Sequence, residues 1–157
     1  MLGVELSPIA VEAFFEAIGE TPSIAETRHG RRYVAGPYEL VQGDAFALGA
    51  PLLADCAGVF DRAALVALPP DMRAPYLADL YGRLPAGCRG LVVTLEYPQA
   101  QKAGPPFAVG EDEVRAGLAQ AWRIDLLERR DVLAEEPGFA TQGVSMLATG
   151  AYRIQRR

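Results

Sequence analysis

The spacing of apolar and polar residues predicts strands alternating with helices. Leu2 to Leu6 is a short apolar run interrupted by Glu5, and Ser7-Pro8 after it is a helix N-cap with proline at the first helical position. Ile9, Val11, Phe14, Phe15 and Ile18 follow at near-helical spacing, and Gly19 ends the stripe. Residues 20–32 are polar and read as an exposed loop. Tyr33 to Val41 reads as two short strands around Gly36-Pro37, or one kinked strand, closed by Gly43 and Asp44. Cys56 to Phe60 is a short strand candidate ending at Asp61 and Arg62. Pro70-Asp71 opens a helix whose apolar side is Met72, Tyr76, Leu77, Leu80 and Leu84. Leu91 to Leu95 is continuously apolar apart from Thr94, as in a strand buried on both faces of a parallel sheet. Pro98, Gly104, Pro105 and Pro106 make residues 97–109 a long loop, and long loops are uncommon unless they act in function. A helix over 111–121, a strand over 122–133, a turn or short helix over 135–142 and a last strand over 145–154 complete the order. The final two strands are placed to pair as an antiparallel hairpin, and the class is α/β.

Composition narrows the setting. The chain has 157 residues, half apolar and 22% charged, which fits one folded domain over 1–157. Fifteen basic residues against twenty acidic ones give a net charge of −5, so neither a nucleic acid nor an anionic membrane is an expected partner. Runs such as Ala63 to Leu68 are far shorter than a membrane span, and no basic segment precedes the first apolar stretch, so a cytoplasmic location is expected. Cys56 and Cys88 lie 32 residues apart with one histidine, His29, elsewhere, which suits neither a disulfide framework nor a zinc site. Both cysteines read as small core residues, and His29 as a solvated loop residue.

Ligands of open α/β sheets bind beyond the carboxyl ends of the strands, so the polar groups there carry the chemistry. These are Glu5, Asp44, the Asp61-Arg62 doublet and Glu96-Tyr97. Glu5 is placed to accept hydrogen bonds from ribose hydroxyls, or it supports the start of the helix after Ser7. Asp44 is a turn residue or an acceptor for an exocyclic amine. Asp61 and Arg62 form an exposed pair, or Arg62 presents its fork to a carboxylate. A ribose-binding acid stands about 20 residues after a glycine-rich turn; here four residues precede it, so such a turn is expected to lie outside this chain.

VELSPIAVEAFF at 4–15, DRAALVALPPDMR at 61–73, TLEYPQ at 94–99, GPPF at 104–107 and LLERRDVL at 126–133 together resemble the bacterial thiopurine S-methyltransferase family, across essentially the whole chain. The resemblance implies a Rossmann-like class I methyltransferase sheet with a C-terminal antiparallel hairpin, lacking the first strand and its glycine-rich loop. It implies S-adenosyl-L-methionine as cofactor, no metal, and methyl transfer to a thiopurine-like thiol or to selenium or tellurium, with tellurite resistance as an associated role. It assigns Glu5 to the cofactor ribose, Asp44 and Ala45 to the segment beside the adenine, and Arg62 to the cofactor and the acceptor. The loop at Gly104 to Phe107 falls on the roof of the family's acceptor pocket. Where family members commonly carry an arginine after the proline of a late Glu-Pro turn, this chain has Gly138.

Displacement at a sulfonium methyl needs alignment more than acid-base help, so no catalytic residue is assigned, and Glu5 and Arg62 are expected to position the reactants. The first strand of such a sheet is central, so its absence is expected to weaken cofactor binding. Two readings stay open: a monomeric methyltransferase acting on a small molecule, or a non-catalytic remnant or fragment that needs a partner chain for the missing strand.

Overall fold

The computed structural model describes all residues, Met1–Arg157. They form two compact units, Met1–Ala54 and Asp55–Arg157. No helix in either is long and apolar enough to cross a membrane.

In the first unit, β1 (Leu2–Glu5) leads into α1 (Pro8–Ala17), followed by β2 (Ser23–Thr27), β3 (Gly30–Ala35), β4 (Tyr38–Gln42) and the short α2 (Ala50–Leu53). Ser7 caps α1 as its sequence implies, its Oγ accepting from the Ala10 amide at 3.3 Å with Pro8 in the first turn. The sheet runs β1-β4-β3-β2, with β1 parallel to β4 and the others antiparallel. Val11 and Phe15 of α1 bury against Tyr33, Ala35 and Leu40.

Residues 20–32 are not all loop. Ser23–Thr27 is a strand paired with β3, and β3 itself starts at Gly30. All five residues of β2 are exposed, so an edge strand with no buried face shows no apolar alternation to read. The hairpin between β2 and β3 closes at Gly30, whose φ is +116°. A side chain there would also collide with the Gln42 carbonyl. Gly30→Ala is therefore expected to cost about 1–3 kcal/mol, read as a lowered urea midpoint.

The second unit contains β5 (Gly58–Asp61), α3 (Ala64–Ala67), α4 (Pro70–Pro75), β6 (Arg89–Glu96), α5 (Glu111–Leu118), β7 (Trp122–Asp131), α6 (Pro137–Thr141) and β8 (Ala148–Arg156). Its sheet runs β5-β6-β8-β7. β5 and β6 are parallel, while β8 is antiparallel to both β6 and β7, so the expected C-terminal hairpin forms.

Two expectations change here. β6 is buried on one face only: Val92 and Thr94, on one side of the strand, are fully enclosed, while Leu91, on the other, is 43% exposed. α4 passes into a π-helical turn over Tyr76–Tyr81, with Pro75 inside the helix. Arg73, Tyr76 and Leu77 face inward at ordinary helical spacing and Met72 points out, and the wider turn then brings Tyr81 rather than Leu80 into the core. Tyr81 packs edge-on against Trp122, and Tyr152, Ile154 and Leu118 are also fully buried.

Of the cysteines, Cys88 is buried as expected and Cys56 is half-buried. Burial raises the Cys88 thiol above its ordinary value.

Candidate functional site

In the first unit, parallel pairing places Glu5 opposite Gln42, so the carboxyl ends of β1 and β4 lie side by side. The structure thereby brings together three of the four residues singled out by sequence: Glu5, Asp44 and Ala45. Glu5 is half-buried, and its Oε1 accepts from the Ser7 amide at 2.8 Å. Helix support is thus real, and it uses one carboxylate oxygen, leaving Oε2 for an incoming hydroxyl. Asp44 is exposed; its Oδ1 accepts from the Phe46 amide at 2.9 Å and caps a single 3-10 turn that begins at Ala45. Its second oxygen is likewise open. The Gly43 amide donates to the Glu5 carbonyl at 3.0 Å, which ties the two strand ends together.

In the second unit, the Asp61-Arg62 doublet does not act as a pair. Asp61 is the last residue of β5, and Arg62 lies just beyond the strand. Asp61 turns inward and is 3% exposed, accepting from the Tyr76 hydroxyl at 2.9 Å, the Tyr81 hydroxyl at 3.0 Å and the Leu65 amide at 3.2 Å. Arg62 is exposed and makes no ion pair, so its guanidinium is available. Glu96 is also committed: Arg129 grips both of its oxygens at 2.9 and 3.1 Å, and the Tyr152 hydroxyl donates to Oε1. Its bond to Glu96, followed by that to Glu111, holds Arg129 firmly in its charged form.

The long loop after β6 is held at many points. The Tyr97 hydroxyl donates to the Pro106 carbonyl at 2.6 Å, and Phe107 donates its amide to the Val66 carbonyl at 2.6 Å. Gln99 is the organising side chain: its amide nitrogen donates to the Lys102 carbonyl at 2.6 Å and to Tyr97, and its oxygen accepts from the Ala108 amide at 2.8 Å. Buried Arg73 adds a bond from Nη1 to the Ala108 carbonyl and lies beneath the Phe107 ring. Sequence reasoning missed Gln99 and Arg73. The only available signal was their place within TLEYPQ and DRAALVALPPDMR, because nothing in spacing distinguishes a polar side chain that bonds backbone from one that bonds water.

A model of the thiopurine S-methyltransferase family matches residues 1–157. The chain belongs to that family. It is 55% identical over 157 residues to a thiopurine S-methyltransferase of Xanthomonas axonopodis pv. citri, covering all of this chain and 72% of that relative. It is 51% identical over 156 residues to one from Nitrosomonas eutropha, covering 71% of it. Among solved structures, the N-methyltransferase NodS from Bradyrhizobium japonicum, in complex with S-adenosyl-L-homocysteine, superposes with a TM-score of 0.64 at 10% identity, across 99% of this chain and 65% of NodS. An arsenic(III) S-adenosylmethionine methyltransferase from Chlamydomonas reinhardtii gives 0.64 at 20% identity, across 97% of this chain and 54% of that one. At these identities the likeness establishes the class I methyltransferase fold.

The thiopurine S-methyltransferase family is a family of methyltransferase enzymes that use S-adenosyl-L-methionine. The residues present fit that group: Glu5 offers a half-buried carboxylate with one free oxygen, suited to a ribose diol, and Asp44 an exposed acceptor beside it. Gly138 lies exposed in α6 with open space around it, so a Cβ there would meet no neighbouring atom.

Proposed function

We propose that this chain takes part in methyl transfer from S-adenosyl-L-methionine to the sulfur of a small thiol of thiopurine type, with selenium and tellurium nucleophiles as further acceptors and the cytoplasm as its setting. The observation that carries this reading is Glu5, fixed at the end of β1 by the Ser7 amide with its second oxygen free, in a chain matched by the family along its whole length. When bound, the cofactor supplies an electrophilic methyl group on a sulfonium. Glu5 orients it by accepting from the ribose. Asp44 and Ala45 flank the adenine, and the unpaired Arg62 attracts and turns an anionic thiolate. Thiolates, selenides and tellurides are soft and already anionic, so the protein's task is alignment.

A second reading, in which these residues act together with a further chain segment, is favoured by the sheet edges: β1 and β5 each pair on one side only. The test is methylation of 6-mercaptopurine by the chain alone and by the chain mixed with the part of the Xanthomonas relative that lies outside the match. Product in either arm supports methyl transfer, and product only in the mixture selects the second reading. No product in either arm, while the intact relative is active, overturns both. In whichever arm is active, Glu5→Ala is expected to weaken S-adenosylhomocysteine binding about tenfold, by loss of charge-assisted hydrogen bonds, in a calorimetric titration.

A further inference from the structure

The 97–109 loop rests on the stretch that contains α6. The Tyr97 ring meets Phe139 edge-on at 5.7 Å, and the Gln101 side-chain oxygen accepts from the Ser145 amide at 2.9 Å and from its hydroxyl at 3.1 Å. Next in the loop is Lys102, the single lysine of the chain. Its amide donates to the Gln99 carbonyl at 3.3 Å and its carbonyl accepts from the Gln99 side chain at 2.6 Å, so the lysine side chain starts from a fixed point. Lys102 is half-buried, and its ammonium stands 5.5 Å from the centre of the Phe139 ring. It makes no ion pair, although two acids precede α6; of these, Glu135 is engaged by Arg130. Gly138, the neighbour of Phe139, is exposed and supplies no side chain, so α6 places no cation of its own beside the ring. β5 and β6 are parallel neighbours, and Arg62 and the 97–109 loop follow their carboxyl ends, where open α/β sheets bind ligands. Arg62 and Lys102 are thus two unpaired cations at the same end of adjacent strands.

We propose that Lys102 holds the anionic acceptor at the α6 side of this end, where position 138 offers no arginine. The proposal rests on the methyl-transfer reading above and adds to it a specificity-determining residue. An ammonium that has an aromatic face for company and no carboxylate is weakly engaged, so an arriving thiolate is the stronger partner. An ammonium is also a compact point charge with no fork to match, so it accepts anions of varied shape. The same charge favours release. Once a thiolate has given an electron pair to the incoming methyl group it is a neutral thioether, the pair of the broken sulfonium–methyl bond staying with the cofactor's sulfur, and Lys102 loses its partner as product forms.

The test uses the full chain, alone and mixed with the unmatched part of the Xanthomonas relative, prepared with lysine carrying 13C at Cε; a single lysine gives a single signal. Without cofactor, 6-mercaptopurine at a pH where its thiol is ionised is expected to shift that signal saturably, and its S-methylated product is expected to leave it in place. Lys102→Gln should weaken binding of the anion about tenfold and leave binding of the product unchanged, while Lys102→Arg, which keeps the charge, should stay within about threefold of wild type. A merely structural role would move both ligands alike. In whichever arm methylates, Lys102→Gln should raise KM for the thiol and leave KM for S-adenosylmethionine as it was. Three results overturn the proposal: no shift in either arm, equal shifts with thiolate and product, or binding by Lys102→Gln equal to wild type. Because binding is read without cofactor, an anion held at Lys102 by a protein that fails to methylate counts against the methyl-transfer reading alone, and methylation that Lys102→Gln leaves unchanged counts against Lys102 alone.

Discussion

Asp61→Ala is expected to destabilise the second unit by about 3–5 kcal/mol, a large part of the whole stability of a typical domain. The carboxylate is the acceptor for two buried phenols and one backbone amide. Deleting it removes the carboxylate that all three donors share, and a buried donor that loses its acceptor costs about 1–3 kcal/mol. Asp61→Asn keeps the shape and one acceptor, so a smaller loss is expected; urea denaturation followed by tryptophan fluorescence measures both, since Trp122 packs against Tyr81. The same cluster sets an alkaline limit. Burial first, and then the Asp61 charge, raises the Tyr76 and Tyr81 phenols above the ordinary tyrosine value of 10.0. The unfolded phenols ionise near pH 10 and the folded ones do not. The stabilisation is therefore complete below that pH and falls as pH rises beyond it. Urea midpoints measured from pH 8 to 11 should be level and then decline, and Tyr76→Phe should soften the decline.

Asp61 also shows what could be read from the sequence. Its place at a strand end was legible, and so was the adjacent arginine. The inward turn of Asp61 follows from the two-residue period of β5, which sets it on the same side as Val59, whereas Arg62 lies beyond the strand and is exposed. The helix after Pro70 was legible by its apolar spacing, but two inward positions were not: Arg73 is buried where Met72 is exposed, and the π-helical turn brings Tyr81 inward rather than Leu80. No pattern of apolar residues announces a buried arginine, since its enclosure depends on the carbonyls and the carboxylate that receive it. β2 was missed because an exposed edge strand has no inner face. Ser7-Pro8, the final hairpin and the crest at Glu5 and Asp44 were legible because each depends on contacts within a few residues or on strand pairing that turn chemistry already directs. The loop over 97–109 was visible as a loop. That it is tied down by Gln99 was not, because its partners lie on backbone atoms, which are the same whatever the sequence.

The second large effect is expected at Arg73. The residue is 3% exposed, Nε donates to the Leu68 carbonyl at 2.8 Å, and Nη1 donates to the Ala108 carbonyl at 3.2 Å and to both Glu113 carboxylate oxygens at 2.8 Å. One guanidinium thus joins the end of α3, the end of the 97–109 loop and the first turn of α5, with the Phe107 ring 5.6 Å from its centre. Arg73→Met fills similar volume and removes every donor, leaving two carbonyls without partners, while Glu113, itself partly exposed, can turn to water. The expected loss is about 2–4 kcal/mol. It is tempered by one feature of the wild type: Nη2 is buried with no hydrogen-bond partner, so methionine also removes an unsatisfied group. Arg73→Lys should not rescue, because a single ammonium cannot reproduce the fork that reaches Leu68 and Ala108 together. If the fork is what holds the loop, hydrogen exchange at the Phe107 and Ala108 amides should quicken in both variants by more than their global destabilisation accounts for. Equal protection in wild type and variants, after correction for global stability, would show that Gln99 and Tyr97 hold the loop without it.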